Sequence, residues 1–351
     1  MDAGKKKILV EMMHGLGDEI NAFPMLSVLR QQYPDAKIVV LVKTQSGAEL
    51  LKSARLDIDN ILVVDIYKNV LQSMALLIKL RNMHFDYGIN ISNTPPYKAA
   101  CFMRAVNPRQ WSGWQRKGLY FDTLGGYYHF VEANLLAVQD ICVLPKERIY
   151  PRIYADEYRV RQFSRLLNVD AGIVGICVGN GNPSLRNKWL RFGKVYAKGW
   201  GIKNIATLIG LLRKAGNAVV MIGGEAELPL RMYLPKNLLN QSGVWDFIGK
   251  TTMSEAIALA AVCDCVIGVD TGMQHVAAAV GTPTISIFGP TSPAMCGAYA
   301  ENAFFVEQVM ACRPCYATLM YNDCRDRQCL NQITPMMVMT KLQQILSVRK
   351  K

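Results

Sequence analysis

With 351 residues, 51% of them hydrophobic, the chain is long enough for two domains that each bury a core, and wholesale disorder is excluded. No stretch of 18 uninterrupted apolar residues occurs, and the apolar run after the basic N-terminus is broken by Glu11, His14 and Asp18; neither a spanning helix nor a secretory signal is expected, which places the protein in the cytoplasm. A formal charge of +13 favours anionic partners such as nucleotides, nucleic acid or an acidic membrane face.

Short β-branched runs alternate with helical stretches, the pattern of parallel sheets built from βαβ units and hence an α/β fold. The first half reads as strand Lys7–Met12, helix Asp18–Gln32, strand Lys37–Lys43, helix Gly47–Ala54, strand Ile61–Asp65, helix Asn69–Arg81 and strand Tyr87–Ile91. An irregular stretch, Pro95–Tyr128, precedes a helix around Val131–Ile141. Val143–Ala155, with Pro145 and Pro151, reads as a linker, so residues 1–150 form one expected domain and 151–333 a second. The second half holds helix Glu157–Leu167, strand Ile173–Val178, helix Ile202–Lys214, strand Ala218–Ile222, helix Glu225–Tyr233, strand Val244–Phe247 and helix Ser254–Val262. It continues with strand Cys265–Val269, a helix from about Thr271 to Val280 and strand Thr284–Phe288 ending in Gly289-Pro290-Thr291. A Cys-rich loop, 312–329, follows. In the last segment, 334–351, Met336, Met339, Leu342 and Leu346 are spaced to dock one helix face on a domain surface.

The chemistry concentrates at strand ends. Asp270, Thr271 and Gly272 join a strand to a helix N-terminus, whose outward N–H groups and positive dipole end suit an anion. Thr291 ends the neighbouring strand, and open α/β sheets bind ligands at the carboxyl ends of their strands. His275 sits one turn into the same helix. Lys198, in Lys198-Gly199-Trp200, precedes a helix N-terminus and opposes its dipole; an anion between them removes the conflict. Arg186, Lys188, Arg191, Lys194 and Lys203 share its acid-free neighbourhood, as a basic lip or a solvated loop. Glu225 and Glu227 follow Gly223-Gly224, where a carboxylate can accept from ribose hydroxyls or simply suit a first helical turn. Gly15-Leu16-Gly17-Asp18 follows the first strand. Ile20 stands where a dinucleotide fingerprint needs glycine, so Asp18 is either a helix cap or a general base.

In this order, Gly-x-Gly-Asp, Lys-x-Trp, Gly-Gly-x-x-Glu, Asp-Thr-Gly-x-x-His-x-Ala-Ala-x-x-Gly-x-Pro and Phe-Gly-Pro-Thr resemble the ADP-heptose–lipopolysaccharide heptosyltransferase family, over Ile8 to about Ile333. The resemblance implies a GT-B glycosyltransferase of family 9: two facing Rossmann-like domains with a cleft between them, the first binding the acceptor and the second the nucleotide-sugar. It implies Asp18 as catalytic base, Lys198 on the diphosphate, Asp270, Thr271, Gly272 and His275 at the diphosphate and sugar, and Glu225 or Glu227 near the nucleoside. Gly17 and Thr291 join this nucleotide-sugar set. The loop Asn180–Ala197 is longer than the family pattern.

Glycosyl transfer needs a hydroxyl to attack an oxocarbenium-like centre while a diphosphate leaves. Lys198 and the N–H groups at Thr271 and Gly272 can stabilise that departure. One base opposite the leaving group implies inversion, and no Asp-x-Asp stands where a metal-bound diphosphate would lie, so no catalytic metal is expected. The expected activity is transfer of a heptose from ADP-heptose, or of a sugar from a different nucleotide-sugar donor, onto a lipopolysaccharide core or other glycan or protein acceptor. A peripheral contact with an anionic membrane at its inner face suits the positive charge. Cys312, Cys315, Cys324 and Cys329 form C-x₂-C-x₈-C-x₄-C, which reads as a structural zinc or iron site, free thiols or a redox pair. Relatives of the family with an iron-bound finger carry a similar cluster. A basic chain with such a finger has a nucleic-acid-binding protein as its rival reading; the clustering of basic residues beside the phosphate site argues against it, and no nucleic acid partner is expected.

Overall fold

In the computed structural model, which describes residues 5–64, 70–91, 96–114, 128–179, 198–315, 324 and 326–349, the β-branched runs become two parallel sheets. They belong to two compact units, Met1–Ile153 and Tyr154–Lys351. In the first, β1 (Lys7–Glu11), β2 (Lys37–Val42), β3 (Asn60–Val63), β4 (Tyr87–Asn90) and β5 (Gln110–Gly113) lie in the order β3-β2-β1-β4-β5. Leu9 stands opposite Val39 and Gly88, and Ile8, Leu9 and Val10 are wholly buried. The near-continuous apolar character of these strands follows from helices covering both sheet faces.

The helix expected over Asp18–Gln32 is two, α1 (Leu16–Asn21) and α2 (Phe23–Gln32), with Ala22 ending one and opening the other. Pro24 is the cause: it lies in the first turn of α2, where its missing N–H costs nothing but cannot continue a helix from α1. α3 (Gln45–Ser53) starts at Thr44, whose side chain accepts from Gly47 N–H. α4 (Val70–Asn82) crosses to β4. The stretch expected to be irregular contains α5 (Pro96–Val106) and β5. Ala99, Phe102, Met103 and Val106 give α5 a buried face at helical spacing. Gly113 ends β5 at φ +156, where an added Cβ would lie 2.0 Å from the Asn90 carbonyl oxygen. α6 (Phe130–Leu136) follows.

The second unit has β6 (Ile173–Cys177), β7 (Ala218–Ile222), β8 (Val244–Asp246), β9 (Cys265–Val269), β10 (Thr284–Phe288) and β11 (Ala303–Glu307), ordered β11-β10-β9-β6-β7-β8. Its longer helices are α7 (Glu157–Leu167), α8 (Ile202–Lys214), α9 (Met253–Val262), α10 (Gly272–Ala279) and α11 (Pro335–Arg349). The helix expected over Glu225–Tyr233 is a 3₁₀ turn, Glu225–Glu227, and a single α turn, Leu228–Arg231, with Pro229 at the junction. The buried face of α11 is Val338, Met339, Leu342 and Ile345, packed into the same core as Leu208, Ile209 and Leu212 of α8; Met336 is 58% exposed. This terminal helix is therefore part of the second unit's core. Among the described residues, no helix is long and apolar enough to cross a membrane.

Strand order reverses direction between β1 and β4 in the first sheet and between β6 and β9 in the second. At such switch points adjacent loops diverge and leave room for a ligand beyond the strand ends. The Gly15–Asp18 turn follows β1, and Asp270–Gly272 follows β9.

Candidate active site

The second unit gathers its site around one carboxylate. Asp270, directly after β9, has a side chain only 8% exposed. Its Oδ2 accepts from Lys198 Nζ at 2.7 Å and from Thr291 Oγ1 at 2.8 Å, with Cys296 Sγ at 3.8 Å. Two separate chain segments, around Lys198 and over residues 291–296, thus converge on one oxygen. A buried carboxylate is costly unless paired and hydrogen-bonded, and this one is both. Lys198 enters on an anchored stem: Trp200 is buried and its Nε1–H donates to the Ile333 carbonyl at 2.7 Å. Gly201 at φ +93 then turns the chain into α8.

Thr271 precedes α10 without capping it through its side chain. The first-turn N–H groups, beginning at Gly272, therefore lie beside the Lys198–Asp270 pair with the helix's positive end behind them. Deeper in α10, Gln274 Oε1 accepts from Ser286 Oγ at 3.0 Å, and His275 is buried rather than displayed at the tip. At the end of β7, Glu227 is buried and its Oε2 accepts from Gly224 N–H at 2.8 Å. It lies against the end of β6, where a Cβ on Gly179 would fall 2.6 Å from its Cγ. Glu225 is exposed. Of the two acids singled out by the sequence, Glu227 is thus the one built into the strand edge. Arg186, Lys188, Arg191 and Lys194 lie outside the described residues.

Sequence reasoning missed Arg313. Its buried guanidinium donates to the carbonyls of Gly289, Gln308 and Thr291 and pairs with Glu307 at 2.7 Å. Cys315 N–H donates to Pro290 O at 3.0 Å. The loop that carries Thr291 is therefore fastened by the Cys-rich segment. The spacing of the thiols drew attention away from the arginine between the first two.

In the first unit Asp18 is the third residue of α1, and Gly15 occupies the cap position. Asp18 is not the helix cap considered as one of its readings. Its side chain is 39% exposed, and His14 Nδ1 lies 4.0 Å from its Oδ2. His14 Nε2 is 2.6 Å from the Ile91 carbonyl. A carbonyl only accepts, so Nε2 carries the proton and Nδ1 is the nitrogen turned to Asp18. Trp114 flanks the imidazole, with ring centroids 5.9 Å apart, and is fixed by its own Nε1–H bond to Asn134 Oδ1 at 2.9 Å. The i,i+4 spacing of His14 and Asp18 is the signal that could have linked them. Gly17 is the second residue of α1 and belongs to the first unit, not to the Asp270 cluster.

Next to Asp18, Glu19 is buried, and neither carboxyl oxygen has a hydrogen-bond partner of normal geometry among the described residues. Burial, then the charge of Asp18, pushes its pKa up from 4.5 to about 8, opposed by the Lys43 backbone N–H. The acid lies against α3: a Cβ at Gly47 would fall 2.4 Å from Glu19 Oε2.

The four cysteines share one neighbourhood without forming a ligand set. Cys329 is buried, Cys315 half-buried, and Cys312 and Cys324 exposed. Burial raises the thiol of Cys315, and negative charge on Cys329, Cys312 and Cys324 raises it further. Among the described residues, however, no three His, Cys, Asp or Glu side chains come together closely enough to hold a metal ion. The observed arrangement does not by itself fit a bound metal.

The two Rossmann-like units, one with a cation and a helix N-terminus converging beyond its strand ends, have the α/β architecture of the GT-B glycosyltransferase fold. Comparison with known proteins agrees. The model of "Glycosyltransferase family 9 (heptosyltransferase)" matches residues 190–324. Lipopolysaccharide heptosyltransferase 2 of Escherichia coli K12 is 24% identical over 97% of this chain and 98% of its own. The structure of E. coli ADP-heptose lps heptosyltransferase II superimposes with a TM-score of 0.73 at 22% identity, covering 98% of this chain and 100% of that one. The bacterial iron-containing dodecameric glycosyltransferase TibC of enterotoxigenic E. coli has a TM-score of 0.61 at 14% identity, over 98% of this chain and 77% of its own. The chain is thus similar to glycosyltransferase family 9 over residues 190–324 and to heptosyltransferases over nearly its whole length.

Proposed function

We propose that the enzyme transfers a heptose from ADP-heptose to a lipopolysaccharide core, with inversion and without a catalytic metal. The convergence of Lys198, Thr291 and the α10 N-terminus on Asp270 carries this reading. The donor's anomeric C–O bond to the diphosphate breaks as the acceptor oxygen attacks the opposite face. The electron pair leaves with ADP, whose growing charge is met by the Lys198 ammonium and the N–H groups of Thr271 and Gly272. The acceptor's proton passes to the Asp18 carboxylate, beside which His14 is held by the Ile91 carbonyl. Glu227, and with it Glu225, contacts the nucleoside side, and His275 backs the α10 tip from within. Residues 1–150 take the acceptor and 151–333 the donor. The relatives' names support heptose and lipopolysaccharide; a different nucleotide-sugar is the alternative.

The placing of the chain's Asp-x-Asp sequence supports metal independence. The Asp-x-Asp of the chain, Asp57-Ile58-Asp59, is engaged by Arg30 in the first unit, with 2.8 Å from Arg30 to Asp59. Activity undiminished in excess EDTA is expected; loss that Mg²⁺ restores would overturn this step. The acceptor is a lipid-linked glycan met at the cytoplasmic membrane face. Cys312, Cys315, Cys324 and Cys329 are the residues that would hold a structural zinc or iron, which would require the two exposed thiols to move onto the other two. About one equivalent of metal in protein purified without added metal is expected, and a content near zero removes it. The whole reading is tested by a thermal-shift panel of nucleotide-sugars followed by mass spectrometry of acceptor products. ADP-heptose should raise the melting temperature most and yield a heptosylated acceptor; stabilisation and turnover by another donor alone would replace the sugar.

A further inference from the structure

The outer face of α4 and α5 is an unusual surface for water. Both helices pack on one face of the first sheet, where Leu80 of α4 and Phe102, Met103 and Val106 of α5 join Leu9, Val39 and Leu41. Away from that core, Met74 is 56% exposed, Ile78 59% and Tyr97 65%. Met74 and Ile78 stand one helical turn apart, so they form one apolar ridge. Lys79 and Arg81 flank it on α4, and exposed Lys98 and Arg104 flank Tyr97 on α5. Neither helix contains an aspartate or glutamate. In the wider segment 66–121 the lone acid is Asp86, which is bound to Lys7 N–H and Arg109.

We propose that this α4/α5 face docks the enzyme on an anionic lipid surface; the identification rests on the reading that the acceptor is lipid-linked. A solvent-facing helix ordinarily intersperses both signs of charge. Exposed Met, Ile and Tyr on two helices whose charged residues are all cations match instead an interface with acyl chains below and phosphate headgroups around. The aromatic ring of Tyr97 suits headgroup depth, and the long Lys and Arg side chains can keep their charges at the phosphates while their stems cover the apolar ridge. Attraction of these cations falls off within a Debye length, so binding is steeply salt-dependent.

The test is co-sedimentation of the full chain with vesicles of phosphatidylcholine alone or containing 30% phosphatidylglycerol, where the vesicle fractions are a choice of assay on the order used to set a negative surface potential. Binding is expected only with the anionic lipid and should disappear at about 1 M salt. Met74→Ser/Ile78→Ser and, separately, Lys98→Glu/Arg104→Glu should each weaken it by roughly tenfold or more. Turnover on a water-soluble acceptor lacking acyl chains should remain at the wild-type level, with unchanged melting temperature. Should the apolar pair misfold, the charge-reversal pair alone decides. Unweakened binding by both variants, equal binding to neutral vesicles, or a dimer that the variants dissolve would each overturn the proposal. A failed heptosyl assay with intact anionic-vesicle binding would instead count against the enzymatic reading and leave the surface standing.

Discussion

The two units place an aspartate at the same topological position, just beyond a central strand at the sheet's switch point, and then treat it in opposite ways. Asp270 is nearly sealed from solvent and its Oδ2 is saturated by an ammonium and a hydroxyl. Asp18 is two-fifths exposed, with one imidazole nitrogen at 4.0 Å. At Asp270 the donors crowd a single oxygen in a buried setting, whereas Asp18 faces solvent with its carboxylate largely uncommitted. The contrast teaches that the shared Rossmann-like scaffold leaves the surroundings of the carboxylate to the loop: one tip gathers a lysine and a hydroxyl around it, the other leaves it open to solvent.

The harshest test of that contrast is Asp18→Asn. It keeps shape and removes the basic oxygen, so kcat should fall about 10²–10⁴-fold, the usual contribution of a general base. Affinity for ADP should stay within about twofold, because the donor is proposed to sit in the second unit. Equal loss of turnover and of ADP binding would make Asp18 structural and erase the distinction between the tips.

Glu19 sharpens the comparison through stability. In the unfolded chain it loses its proton near 4.5, and in the folded chain near 8. Between those values the native state holds the extra proton, so this group's contribution to stability declines as pH rises through the window and is flat beyond it. The decline is on the order of 5 kcal/mol in total, at about 1.4 kcal/mol per pH unit. Glu19→Gln carries no titrating group and should lack this slope, which urea melts from pH 5 to 8 would measure. Identical slopes in the two proteins would show that Glu19 ionises freely. Ionisation above pH 8 also sets a second negative charge beside Asp18, so the variant should keep its turnover at alkaline pH better than the wild type.

For the other tip, Lys198→Ala removes the cation and leaves Asp270 buried beside the incoming diphosphate. ADP affinity should fall about 10–100-fold by calorimetry, through lost attraction and new like-charge repulsion. Lys198→Arg should recover part of it. Unchanged affinity would mean that the pair is a structural link of the second unit.

Much of this was readable in the chain because the signals are local. Strand runs such as Ile38–Val42 and Cys265–Val269, and the Asp270–Gly272 turn, declare themselves within a few residues. The misses have physical causes. A proline inside the first turn, Pro24 or Pro229, splits what periodicity alone merges. α5 was hidden because its apolar face is flanked by cations and aromatics that read as irregular. β11 pairs only with β10 and is half-buried, so its alternation is weak. Long-range partnerships carry no local mark: Lys198 and Asp270 are 72 positions apart, and nothing in sequence spacing says which acid a lysine will meet. Arg313 is another such case, since its partners are mostly backbone carbonyls that every residue possesses.

The smallest effect tests how finely the Asp270 oxygen is tuned. Thr291 donates the second hydrogen bond to it from a loop already fastened by Arg313. Thr291→Val preserves shape and deletes the donor, leaving the lysine as the main counterweight to the buried charge. Loss of one hydrogen bond to an ionised group costs about 1.5–3 kcal/mol in stability, felt as a lowered melting temperature. In ADP affinity the loss should be smaller, roughly threefold to tenfold, because Lys198 is then drawn more strongly to Asp270 and yields less of its charge to the diphosphate. Thr291→Ser retains the hydroxyl and should restore both. If valine and serine behave alike, the hydroxyl does not set the balance between Asp270 and Lys198, and the saturated tip differs from the Asp18 tip by its lysine alone.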